Sequence, residues 1–154
     1  MFQFFENLSR SFLENYGAVG LFSFSFCESI FWPIPPDIFL AASQIFQFSK
    51  ITAFIAVLAG SIFGATVAFF LGAKFGHRVA EKIFKKSQLL KIEKFLQKWE
   101  FLGVFIVSFT PLPFKIACWG AGIFELEFRR FLIAAILGRA ARFFLVIFFA
   151  GMIF

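Results

Sequence analysis

Five ionisable side chains stand where the surrounding sequence offers them little that is polar. Glu28 and Asp37 bracket a proline-rich run, Pro33-Ile34-Pro35-Pro36, and Lys115 closes a second, Thr110-Pro111-Leu112-Pro113-Phe114. Arg139 and Arg142 interrupt an apolar stretch over 131–154 and, at i and i+3, share one helix face. Apolar surroundings disfavour the charged form of a carboxylate, which suits Glu28 and Asp37 to taking up and releasing a proton. An arginine fork matches a carboxylate or a phosphate. Unpaired at a bilayer centre, each arginine would cost about 3 kcal/mol, and apolar residues on both sides leave no exit by snorkelling. Arg139 and Arg142 are therefore expected to pair with Glu28 or Asp37, or to hold an anion such as a phosphate. Two plainer readings stand beside this: an ion pair that only locks parts of the chain together, and a helix N-cap role for Asp37. Lys115 is the weaker case, since a water-filled mouth would also accommodate it.

The elements that position these groups must lie in a membrane. Of 154 residues, 60% are hydrophobic and 16% charged, with 30 Phe, and the mean hydropathy is +0.87. A soluble domain is closer to half apolar, and such a chain in water would expose large aggregation-prone areas. The net charge of +6 would suggest nucleic acid for a soluble protein. Here the excess is concentrated over 74–98, so orientation and anionic lipid headgroups account for it and nucleic acid is not expected. Cys27 and Cys118 have no Cys or His at ligand spacing, so no metal, cofactor or redox motif is expected. His77, the only histidine, reads as interfacial.

The whole of 1–154 reads as a single membrane domain. Residues 1–16 have apolar positions near helical spacing and read as an interfacial helix, without the basic start of a cleavable leader. In 17–73, an apolar arm (17–31), a break (32–37) and a second arm (38–48) precede an uncharged span over 51–73. Each arm has too few residues to cross alone, since a spanning helix needs about 20, so a re-entrant helical hairpin is expected. Residues 101–154 repeat the pattern: arms at 101–110 and 116–124 around the break at 111–115, a polar turn at 125–130 and a span at 131–154. The expected architecture is all-α: two opposed re-entrant hairpins, each followed by a transmembrane helix, as an inverted repeat. Between them, 74–100 is basic and amphipathic, with Ile92, Phe95, Leu96 and Trp99 on one face and a division near Ser87. Its basic excess puts it in the cytoplasm, and both termini opposite. Ala56, Gly60, Gly64, Ala68, Gly72 and Gly76 recur every four residues, a ridge for close packing within the chain or against a second copy.

Several stretches together resemble one family. Glu28-Ser29-Ile30-Phe31-Trp32-Pro33-Ile34-Pro35-Pro36-Asp37, Phe109 to Lys115, Ala121-Gly122 and Gly138-Arg139-Ala140-Ala141-Arg142-Phe143 are similar to the short YqaA branch of the DedA family, also called the SNARE-associated or VTT-domain family. The resemblance runs from about Tyr16 onward. It implies opposed re-entrant hairpins and the movement of lipids: scrambling of phospholipids or recycling of a polyprenyl-phosphate carrier, with dependence on the proton gradient in some bacterial members. The family's acidic residues in the first hairpin correspond to Glu28 and Asp37. The wider family often carries Arg-Phe-x-Pro-x-x-Arg at the second hairpin; here Ser108 and Phe114 occupy the arginine positions, with Lys115 adjacent to the second. Arg139 and Arg142 then remain to supply positive charge.

A lipid or lipid-phosphate transporter of the cytoplasmic membrane is the leading expectation, its anionic headgroup meeting Arg139, Arg142 and Lys115 and its protons Glu28 and Asp37. Alternatives are a proton or cation antiporter without a lipid substrate, and a non-transporting scaffold. An enzyme is least expected, since no Ser-His or Cys-His arrangement and no phosphate-cradling glycine loop is visible.

Overall fold

The computed structural model describes residues 2–31, 36–45, 49–83 and 85–153. Pro33 and Pro35 lie outside the described residues, as do 46–48 of the expected second arm. Among the described residues the chain is helical almost throughout and has no strand. The helices are α1 (Phe2–Ile30), α2 (Asp37–Ile45), α3 (Lys50–Ile83), α4 (Lys86–Phe109), α5 (Phe114–Ile123) and α6 (Phe128–Ile153).

Three of these helices are bent where the composition changes. α1 breaks at Gly17 (φ 52°, ψ −131°) and α3 at Gly76 (φ 56°, ψ −145°), backbone conformations that glycine adopts without steric cost. α4 leaves the helical path at Glu100, whose carboxylate is held by Arg130 at 2.9 Å. The bends set 2–16 apart from 18–30, the α3 span apart from its basic end, and 86–99 apart from 101–109.

Some expected boundaries move. The basic segment divides before Lys86 rather than at Ser87, because the Gln88 side chain accepts the Lys85 N–H at 3.2 Å and starts α4 there. Lys115 lies in the first turn of α5, not in the break. α6 begins at Phe128, so Arg129 and Arg130 are helical instead of belonging to the turn, with Phe131 N–H bonded to the Glu127 carbonyl at 3.0 Å.

Among the described residues, two helices are long and apolar enough to cross a bilayer, Lys50–Gly76 with 27 residues and Phe128–Ile153 with 26. Their outward faces are apolar: Ile55, Phe63 and Phe70 on α3, and Ile133, Leu137, Phe144 and Phe148 on α6, are exposed. Charged side chains are absent from those faces over most of their length, which is the pattern of a lipid-facing surface.

Glycine lets the helices approach backbone to backbone. A Cβ on Gly60 or Gly64 would run into the carbonyls of Phe22 or Phe26 of α1, and one on Gly72 into the Trp119 carbonyl of α5. From the other side, a Cβ on Gly122 of α5 would meet the Phe69 carbonyl of α3. The small-residue ridge is thus spent on internal packing, with two different partners along its length. Gly76 is the exception: it has open space around it and makes the bend instead. On α6, Gly138 takes the Phe105 carbonyl and Ser108 of α4.

The resulting arrangement is interlocked. Each long helix packs on the broken helix of its own half, α3 on α1 and α6 on α4; it also carries the short helix of the other half, α5 on α3 and α2 on α6. One core cluster gathers Phe69, Leu96, Val104, Phe114, Trp119 and Phe131; a second gathers Leu21, Phe39, Leu40, Val57 and Phe143. The amphipathic part of α4 docks on α5, with Leu89 and Leu96 buried and Ile92 and Leu96 against Gly120. Trp99, expected on that face, is exposed.

Candidate functional site

Arg139 sits where the two core clusters meet. Its guanidinium carbon is 4.1 Å from the ring centre of Phe114, a member of the first cluster, and 5.1 Å from that of Phe143, a member of the second. The side chain is 1% exposed. Its Nη2 donates to Glu28 Oε2 at 2.6 Å, and its Nε to Ser61 Oγ at 2.9 Å. Glu28, 8% exposed, comes from the last turn of α1, and Ser61 from the α3 ridge. Buried serines extend the network. The Ser61 and Ser29 hydroxyls are 3.2 Å apart, Ser29 donates to the Ser25 carbonyl at 3.0 Å, and Ser25 to the Val57 carbonyl at 2.8 Å.

One helical turn on, Arg142 holds Asp37 at the start of α2 with both arms of its fork: Nε to Oδ1 at 3.1 Å, and Nη2 to Oδ2. Its Nη1 donates to the Thr110 carbonyl. The i, i+3 spacing of the arginines thus presents two parallel pairs from one face of α6. Each pair joins the second half of the chain to the first. A planar fork bound at two oxygens gives orientation as well as energy.

The breaks themselves set a problem in hydrogen bonding. The last carbonyls of a helix have no partner within it, and lipid supplies none. At the first break, the Ile30 carbonyl that ends α1 accepts from Trp119 Nε1 at 3.0 Å. At the second, the Thr110 carbonyl, next to Pro111, is taken by Arg142. Both freed carbonyls are therefore satisfied by long side chains from the second half. Trp119→Phe keeps the ring and removes the donor. We expect it to lower stability by roughly 1–3 kcal/mol through the orphaned Ile30 carbonyl, read as an earlier thermal transition of the detergent-solubilised protein.

Of the residues picked out in the sequence, Glu28, Asp37, Arg139 and Arg142 come together. Lys115 does not join them: it is half-buried in α5 and makes no ion pair among the described residues. Pro36 is buried, whereas Pro111 and Pro113 are exposed. Gly60, Gly64, Gly122 and Gly138 serve helix packing around the site. The sequence reading gave no role to Ser61 or Ser29, and none to Phe114 as an arginine platform. The position of Ser61 beside Gly60, opposite a Ser25/Ser29 pair at i and i+4, was the available signal.

A groove of about 420 Å³ opens beside the second pair. Ala41, Phe109, Leu145, Val146, Phe149 and Ile153 form its walls, and Arg142 is the one charged residue that lines it among the described residues. The groove is apolar along its length with a cation at one point, a geometry that fits an amphiphile with an anionic end.

The chain has relatives among known proteins. A family profile described as the VTT domain matches residues 34–151. The chain is similar to an uncharacterised protein of Methanocaldococcus jannaschii, 37% identical over 141 residues that cover 91% of this chain and 88% of that one. It is 32% identical to an uncharacterised protein of Haemophilus influenzae over 128 residues, 79% of this chain and 66% of the other. It is 19% identical to an uncharacterised membrane protein of Bacillus subtilis over 140 residues, covering 85% and 86%. No solved structure matches.

Proposed function

Since the chain belongs to the VTT-domain, or DedA, family of membrane proteins, we propose that it moves a lipid or lipid-phosphate headgroup across the cytoplasmic membrane, with protons as the coupled species. The observation that carries this reading is the apolar groove with Arg142 at its wall, because a hydrocarbon chain and an anionic group are both matched there. Arg142 is occupied by Asp37 in this structure, so an entering phosphate competes with the carboxylate. We assign the proton uptake to the carboxylate that the phosphate displaces. Headgroup binding and proton uptake then favour the same state, which is the requirement for coupling.

In this reading 17–48 and 101–124 are re-entrant hairpins, and the two halves are inverted repeats around Arg139 and Arg142. The repetition of broken helix, short helix and long helix in both halves supports it. The basic residues Lys74, Arg78 and Lys82 at the end of α3 and Arg129 and Arg130 at the start of α6 support a common cytoplasmic side for those ends.

The test is headgroup translocation in liposomes holding the purified protein, with and without a pH gradient. Wild type should move lipid and respond to the gradient. Arg142→Gln and Asp37→Asn should each fall to the protein-free rate. Wild-type flux from either variant sinks the reading, and proton flux without lipid movement replaces it with an ion antiporter.

A further inference from the structure

A second groove lies between the amphipathic part of α4 and the second break. Its volume is about 260 Å³, and Ile92, Phe95, Leu96, Val107, Leu112 and Ile116 are among its walls. It shares no lining residue with the groove at Arg142. At this size it would hold several waters at about 30 Å³ each, yet its walls offer them almost no polar partner, and apolar cavities of this kind take hydrocarbon instead. In a membrane the available hydrocarbon is an acyl chain.

Charge says which lipid. Among the described residues, Lys91 is the one charged residue lining this groove. Lys94 and Lys98 follow it at i+3 and i+7, on the same helix face. All three are exposed, and none makes an ion pair among the described residues. The nearby carboxylates are engaged elsewhere: Glu100 with Arg130, and Glu93 with the Gln97 amide at 3.4 Å. Lys91 puts a cation at the edge of a hydrocarbon slot, and Lys94 and Lys98 continue its helix face.

We propose that this groove is a binding site for one anionic phospholipid, its acyl chain lying against Leu96 and Leu112 and its phosphate meeting Lys91. The site stands apart from the translocation pathway. Its occupant is a resident lipid that joins the amphipathic part of α4 to the second break, because Ile92, Phe95 and Leu96 belong to the first and Leu112 and Pro113 to the second.

The experiment is native mass spectrometry of the full chain released from detergent, after equilibration with phosphatidylglycerol or phosphatidylcholine. Wild type should retain one phosphatidylglycerol in preference to phosphatidylcholine. Lys91→Gln should reduce retention roughly fivefold, and Leu112→Trp, which fills the slot, should remove it. Lys74→Gln, a basic residue distant in the chain from the slot, should leave retention unchanged. Arg142→Gln should also leave it unchanged, which separates this site from the translocation pathway. Equal retention of both lipids overturns the proposal. So does a loss that follows Arg142→Gln or Lys74→Gln instead of Lys91→Gln. A cooperative thermal transition for each variant keeps misfolding from imitating a loss of binding.

Discussion

Arg139→Ala is expected to lower stability by about 3–5 kcal/mol, the cost of leaving one partner of a buried ion pair uncompensated. Glu28 is then left in an apolar pocket without the one charged donor it has among the described residues. Two further losses act in the same direction. Phe114 and Phe143 lose the cation that lies against them, and Ser61 loses a donor. Thermal unfolding in detergent measures the effect. A companion variant separates structure from function. Replacing both members of a buried pair by apolar residues of similar size is often neutral or stabilising, so Glu28→Met with Arg139→Met should recover most of the stability. It should recover none of the lipid movement. If that double variant transports lipid, the buried pair is only a fastener.

Gly122→Val should disrupt the fold through a different physical term. A Cβ at Gly122 lies under 3.0 Å from the carbonyl group of Phe69 and from the Ala73 nitrogen, and every one of those atoms is backbone. Backbone in a helix has no rotamer to change, so α5 must move off α3. Overpacking of well-packed sites costs about 1–3 kcal/mol and occasionally more; a rigid neighbour puts this case at or beyond the upper end. Displacing α5 also draws Trp119 away from the Ile30 carbonyl and Phe114 from Arg139. The expected result is loss of the monodisperse peak in size-exclusion chromatography and of the cooperative transition. A wild-type profile would mean that α5 and α3 are further apart than described.

Much of the site was legible because lipid makes charge conspicuous. Glu28, Asp37, Arg139 and Arg142 stand out in apolar sequence, and their need for partners follows from solvation alone. Which arginine takes which carboxylate was not legible, since it depends on how α6 lies against α1 and α2. Ser61 and Thr110 escaped notice for a related reason: a serine among small residues, or a carbonyl before a proline, gains its role only when another element delivers a donor. The small-residue ridge was read correctly as a packing surface. Its period could not say that α1 takes Gly60 and Gly64 while α5 takes Gly72, nor that Gly76 ends the ridge with a positive φ. The amphipathic face of α4 was similarly visible as a periodicity. That Leu89 belongs to it and Trp99 does not is decided by where α5 sits.

The interlocked packing of the halves also sets a timetable. Glu28 and Arg139 are 111 residues apart in sequence, so at about 5–20 residues per second the ribosome delivers the arginine roughly 6–20 s after the carboxylate. Between the completion of α3 at Ile83 and the synthesis of Trp119, the Gly72 surface is bare and the Ile30 carbonyl waits for its tryptophan. The first half therefore cannot be a finished unit: during insertion it is an intermediate exposed to membrane proteases, and its carboxylate must be protonated or hydrated until α6 arrives. The same dependence makes the two halves candidates for complementation when expressed as separate chains, because each carries what the other is missing.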